Sequence, residues 1–97
     1  LGKGAVVGFM DRGTIYPRDL YKLCHQLGAE KGIPVQTKTM VAGGNDAGAI
    51  QLAGRGARVA AVSLPCRYLH SPACVVAKRD MEQTLALLQE LARQLAV

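Results

Sequence analysis

His70 is the residue of this 97-residue chain best suited to metal chemistry. It stands in Ser63-Leu64-Pro65-Cys66-Arg67-Tyr68-Leu69-His70-Ser71-Pro72, a polar loop that follows an apolar run. A neutral imidazole is a good ligand for Zn²⁺ or Co²⁺. Pro65 and Pro72 stiffen the loop, so the ring would lose little freedom on binding. One imidazole does not make a metal site, and a loop histidine bonded to backbone is the plain alternative. Cys66 and Cys74 flank His70 symmetrically, which raises a small structural zinc module. The spacing departs from the usual cysteine pairs, and a fourth ligand is missing. A second chemistry lies in Gly43-Gly44-Asn45-Asp46-Ala47-Gly48-Ala49-Ile50, a glycine-rich run entering a helix. Backbone N–H groups at a helix start favour anions, so a stand-alone α/β anion-binding module is a further reading. The run lacks both the Lys-Ser/Thr of a phosphate-cradling loop and the G-x-G-x-x-G spacing. Capping by Asn45 or Asp46 accounts for the same residues. Ser63 and Cys66 have no nucleophile elbow and no base-and-orienter pair, which argues against a covalent mechanism.

These loops need elements to hold them. Gly4 to Met10 reads as a short buried strand, being continuously apolar. Asp11-Arg12-Gly13-Thr14 reads as a turn, and Pro17 opens a helix in which Leu20, Leu23, Cys24 and Leu27 share a face. Gly32 closes that helix and Pro34 bars its continuation. Val35 to Val41 alternates and is rich in β-branched residues, which suggests a half-exposed strand near a sheet edge. A short helix follows over about Ala47 to Ala53, ended by Gly54. Arg58 to Leu64 reads as the third strand, and a last helix runs from about Arg79 to Ala96. In it Met81, Leu85, Leu88, Leu91, Ala92 and Leu95 form one apolar stripe, expected to face the core, while Asp80 with Gln83 supports the first turn. The order β-α-β-α-β-α predicts an α/β layer structure with helices packed on a sheet.

Composition narrows the function classes. Twelve basic and seven acidic residues give a net charge of +5. The basic residues are scattered and there are only four aromatics to stack bases, so nucleic acid is not the expected partner. The odd number of cysteines (Cys24, Cys66, Cys74) argues against a disulfide framework and for a reducing compartment, with the cytoplasm as the expected location. Cys24 and Cys74 are expected to serve as small apolar packing. No apolar run approaches the ~20 residues that span a bilayer, so no membrane role is expected. The apolar share of 49% can build a core. A chain of this size nonetheless buries only about 60–65% of its unfolded surface. The start at Leu1 rather than at a methionine is expected of a piece of a longer protein.

Four segments taken in order resemble the tetrahedral aminopeptidase family of di-metal peptidases, also called glutamyl aminopeptidases and once misnamed cellulase M. Leu1-Gly2-Lys3-Gly4 is similar to the family's Leu-Gly-Lys-Gly-Pro, and Met10-Asp11-Arg12-Gly13-Thr14-Ile15 to the segment after it. Gly43 to Ile50 resembles Gly-Gly-Thr-Asp-Ala-Gly-Ala-Ile, and Ser63 to Pro72 resembles Ser-Ile-Pro-Thr-Arg-Tyr-Ile-His-Ser-Pro. Asn45 and Cys66 stand where threonine is usual, and Gln51 where histidine is frequent.

The resemblance implies that residues 1–97 are a single C-terminal segment of the catalytic domain, part of a three-layer α/β/α zinc-peptidase-like fold with a mixed sheet. It implies removal of N-terminal residues from peptides by a water activated between two metal ions, zinc or cobalt, with a glutamate as general base. His70 maps onto the last metal ligand. The other ligands, the base and an inserted oligomerisation domain would lie upstream of Leu1. Asn45, Asp46 and Gly48 would line the substrate side, and Arg67 would brace the loop or touch substrate. The full-length enzyme would form a tetrahedral dodecamer. This chain alone is expected to hold no metal pair and to be inactive.

Overall fold

A computed structural model describes residues 1–38, 44–54, 56 and 58–95. The chain runs β1 (Ala5–Val7), α1 (Arg18–Lys31), β2 (Val35–Thr37), α2 (Asp46–Leu52), β3 (Val62–Ser63) and α3 (Lys78–Leu95). The sheet order is β2-β1-β3, with β1 and β2 parallel and β1 and β3 antiparallel. The α/β class, the alternating order and the mixed sheet are those expected from sequence, and β2 is an edge strand.

The register fixes two faces. Ala5, Val7, Val35 and Val62 point to one side, where they meet Cys24 and Leu27 of α1, Ile33, and Leu87 and Leu91 of α3. Their alternates Val6, Gln36 and Ser63 share the other side, since successive strand side chains alternate. Helices α1 and α3 pack on each other and on the sheet; α1 lies toward β2, and α3 toward β3. Gly4 precedes β1 at φ 91°, a left-handed conformation suited to glycine, and an added Cβ there would collide with the Pro34 carbonyl. Helix α1 follows Pro17 and ends on Gly32 in the left-handed region, whose N–H reaches the Gly28 carbonyl.

Three expectations are corrected. The first and third strands are shorter than their apolar runs. The backbone bends at Gly8 to Met10, so beyond the Gly8 N–H to Ala61 O bond (3.1 Å) neither strand finds a continuous partner. In β2 the ladder covers Val35–Thr37, and Lys38 adds a bond to Val7 O at 3.0 Å; residues 39–41 of that expected strand, and Gly43, lie outside the described residues. In α3 the core receives Leu87 and Leu91, while Met81, Leu85, Leu88 and Leu95 are each roughly half exposed. Apolar content alone could not tell which side of a two-sided helix meets the sheet.

Asp80 is not a local helix support. It is fully buried, and its carboxylate accepts the N–H of Gly2 at 2.7 Å and of Gly4 at 2.9 Å, tying the start of α3 to the approach to β1. The Gly2 and Gly4 bonds hold its pKa below the ordinary 3.8 against the opposing effect of burial. A carboxyl with a lowered folded-state pKa stabilises the fold fully above about pH 4 and loses that effect as pH falls through the folded value. Asp80→Ala is therefore expected to lower Tm by on the order of 5–10 °C near neutral pH. That gap should shrink steadily below about pH 4, as followed by circular-dichroism melts across the acid range.

Candidate functional site

The loop after β1 is organised by Asp11. Its Oδ2 accepts the Tyr16 hydroxyl at 2.6 Å and its Oδ1 accepts the Gly13 N–H at 2.9 Å. The turn closes through Asp11 N–H to Thr14 O (2.8 Å) and Tyr16 N–H to Phe9 O (3.1 Å). The Tyr16 bond holds the Asp11 carboxyl below its usual range; burial opposes this, and the Lys38 charge adds to it. Burial, and then the bond to Asp11, push the Tyr16 phenol up. A phenol has one proton, which Tyr16 gives to Asp11. Its oxygen then accepts Asn45 Nδ2 at 3.2 Å, which turns Asn45 Oδ1 toward the Ala47 N–H at 2.8 Å. That last bond is the N-cap of α2.

Helix α2 is thus fastened to the loop after β1. Gln51 Nε2 donates to Ile15 O at 3.1 Å. A Cβ on Gly48 would stand 2.9 Å from Thr14 Oγ1, so Gly48 is there for close packing against that loop. Asp46 is exposed in the first turn of α2, and Asn45 is exposed apart from its two bonds. Asp11, Tyr16, Lys38, Asn45 and Ser63 line a polar recess of about 20 Å³, room for about one water. Beside it Phe9, Ile15, Tyr16, Arg18 and Tyr21 form an open apolar cleft of about 370 Å³. Sequence reasoning treated Asp11 as part of a turn and gave Tyr16 no role. The one available signal was an aspartate and a tyrosine bracketing a turn at a strand end. Tyr16→Phe is expected to cost about 1–2 kcal/mol, seen as a lower urea midpoint together with faster amide exchange in α2.

His70 stands in the segment after β3. After β3 the chain forms a loop pinned by a two-bond bridge, Arg67 N–H to Val75 O at 2.8 Å and Val75 N–H to Arg67 O at 3.1 Å. Inside it the Ser71 hydroxyl shares its proton between Tyr68 O (2.5 Å) and Ala73 O (2.7 Å). Tyr68 and His70 both take left-handed backbone conformations, with φ of 64° and 58°. Such conformations cost of order 1–3 kcal/mol each for a side-chain-bearing residue and gather at functional sites. The His70 imidazole stands exposed at the tip, and the Arg67 side chain is exposed at the base.

Because β1 and β3 are antiparallel, the loops that follow them leave the sheet at opposite ends. Asp11, Tyr16, Asn45, Asp46 and Gly48 gather at one end. The His70 loop departs from the other, the end at which Gly2, Gly4 and Asp80 meet. Asn45 and Gly48 are brought to the loop after β1 by the Asn45–Tyr16 bond and the close approach of Gly48 to Thr14.

Among the described residues no three of His, Cys, Asp or Glu come together in a way that could hold an ion. Cys66, His70 and Cys74 thus form no zinc module; Cys66 is half-buried and Cys74 exposed, so Cys74 is not packing either. Cys24 is buried, and burial pushes its thiol up, as an apolar packing role requires. The start of α2 is self-capped, with the Ala47 N–H on Asn45 Oδ1 and the Gly48 N–H on Asn45 O at 3.3 Å, which takes up two of the N–H groups an anion would use. The His70 imidazole is exposed on a strained, cross-braced loop. No described helix is long and apolar enough to cross a membrane.

The sequence matches the family described as M42 glutamyl aminopeptidase over residues 1–87. It is similar to the lysyl aminopeptidase of Pyrococcus furiosus, at 31% identity over 96 residues, which are 98% of this chain and 27% of that protein. Among solved structures, the TET aminopeptidase of Thaumarchaeota archaeon SCGC AB-539-E09 superposes with a TM-score of 0.93 at 29% identity, over 98% of this chain and 27% of that one. The TET1 peptidase of Pyrococcus horikoshii, described as assembling into a tetrahedron or a large octahedral shell, gives 0.83 at 35% identity over 95% and 27%. The chain spans about a quarter of the length of the curated relatives it matches.

Proposed function

The chain belongs to the M42 glutamyl aminopeptidase family, and we propose that it is the C-terminal segment of the catalytic domain of a metal-dependent aminopeptidase. In this reading the complete protein removes N-terminal residues from peptides in the cytoplasm. The observation that carries it is the His70 loop: an imidazole on a left-handed backbone, braced by the Arg67–Val75 bridge, in a chain matched to the family almost throughout. A loop paid for in strain and cross-braced to hold an exposed side chain suits a ligand better than a solvated histidine.

His70 is proposed as one ligand of a set completed upstream, since no three of His, Cys, Asp or Glu come together among the described residues. Two divalent ions, zinc or cobalt, would supply Lewis acidity and an activated water there. Arg67 holds the base of the loop through its backbone, with its side chain free to meet a peptide. Asn45, Asp46 and Gly48 are proposed to serve the substrate side through the position of α2. Homo-oligomeric assembly of the complete enzyme is proposed by analogy with the TET neighbours.

The reading is tested by the coding sequence upstream of Leu1 and by the enzyme it encodes. The expected frame continues upstream with a His-x-Asp pair, adjacent glutamates and a further aspartate, and its product releases N-terminal amino acids from small peptides with metal dependence. A start codon directly before Leu1 would overturn the reading, as would metal-stimulated release of amino acids by this chain alone.

A further inference from the structure

Helix α3 carries three rows of side chains, each turned by about 100° from the next, because successive helical residues advance by that angle. The central row, Asp80, Leu87 and Leu91, is buried. The row one residue earlier, Gln83, Ala86 and Glu90, is half-buried, on the flank where α1 packs. The row one residue later is Met81, Leu85, Leu88, Ala92 and Leu95. Every member of it is apolar and every member is exposed. Its alternating spacing of four and three residues is that of a helix-pairing seam.

The sheet says what lies beneath that bare flank. α1 sits toward β2 and α3 toward β3, so the flank of α3 turned away from α1 overhangs β3. In the order β2-β1-β3, the outer edge of β3 has no partner among the described residues. A bare apolar helix flank above an open strand edge is the profile of a layer cut at a seam.

We infer that the Met81–Leu95 flank of α3 is the docking surface for an amphipathic helix of the same polypeptide, from outside these 97 residues, lying alongside α3 at a shallow angle. The inference rests on the reading of the chain as part of a longer enzyme. In the Thaumarchaeota TET structure this unit corresponds to 27% of a larger chain, so most of that chain is available to supply such a neighbour. A second copy is the poorer occupant. Five half-exposed side chains fall well short of the ~800 Å² per partner that an interface between separate chains typically buries. A tethered helix arrives at high effective concentration and needs less area. The spacing asks of the occupant apolar residues at i, i+3, i+4 and i+7.

The test is carbene footprinting with mass spectrometry on this chain and on the longer enzyme that contains it, beside sedimentation of this chain and a Leu85→Lys/Leu88→Lys double variant. The row is expected to label strongly in the 97-residue chain, which sediments as a monomer, and to be protected in the longer enzyme. The double variant is expected to shift Tm of the short chain by less than about 3 °C and that of the longer enzyme downward by about 10 °C or more, or to abolish its folding. Equal labelling in both proteins would overturn the inference, as would a short chain whose dimer is dissociated by the double variant. Peptidase activity of the longer enzyme is read separately. An active enzyme with an unprotected row sinks this inference alone, and an inactive one with a protected row sinks the functional reading alone.

Discussion

Replacing His70 by alanine in the longer enzyme is expected to lower kcat/KM for peptide cleavage by well over 100-fold while leaving the fold intact. The floor comes from the 10- to 100-fold, roughly, that losing only an outer partner of a metal ligand costs; removing the ligand itself costs more. The fold should not notice, because His70 is exposed and its ring enters no hydrogen bond that holds the loop together. An exposed side chain of this kind contributes within about ±0.5 kcal/mol. The left-handed backbone at His70 makes alanine somewhat strained there, so His70→Asn is the companion variant: asparagine tolerates that conformation. Both variants should lose activity alike and melt within a few degrees of the parent. Peptide-hydrolysis kinetics with a thermal melt on the same samples checks this. A variant that melts normally and still cleaves peptides would remove His70 from the site.

Leu87→Ala is expected to be the most damaging single change to the fold. Leu87 is fully buried where α3 meets α1 and the sheet, in one cluster with Ala5, Val7, Cys24 and Leu27. Truncating a buried leucine costs about 2–5 kcal/mol through lost transfer energy and the cavity left behind. A domain of this size has about 5–15 kcal/mol in total. Urea denaturation should show a large drop in midpoint at unchanged slope. The contrast is Leu88→Ala, one residue on and half exposed, which should cost the 97-residue chain under about 1 kcal/mol. Comparable losses at the two positions would mean that the wrong face of α3 has been set against the sheet.

The fold was legible where local chemistry decides it. Gly32 after α1, Asn45 before α2 and the β-branched run at β2 acted as their side chains dictate. What escaped the sequence depends on contacts between distant segments. Asp80 reads as a first-turn carboxylate, yet it serves Gly2 and Gly4 at the other end of the chain. The α3 stripe reads as a core face because it is apolar, but the two neighbouring rows share its period and only the sheet chooses between them. The candidate site divides in the same way. His70 stands out by type and by its Ser-Pro setting. Its left-handed backbone, and the Asp11–Tyr16–Asn45 chain that positions α2, exist only once the strands are paired.

The most direct test of the central claim is the metal content of the longer enzyme, counted per chain by inductively coupled plasma mass spectrometry, beside its His70→Ala variant. The account expects about two divalent ions per chain in the parent and the loss of one or both in the variant, at equal folded fraction. Full retention of both ions by the variant would contradict it, because His70 would then hold neither.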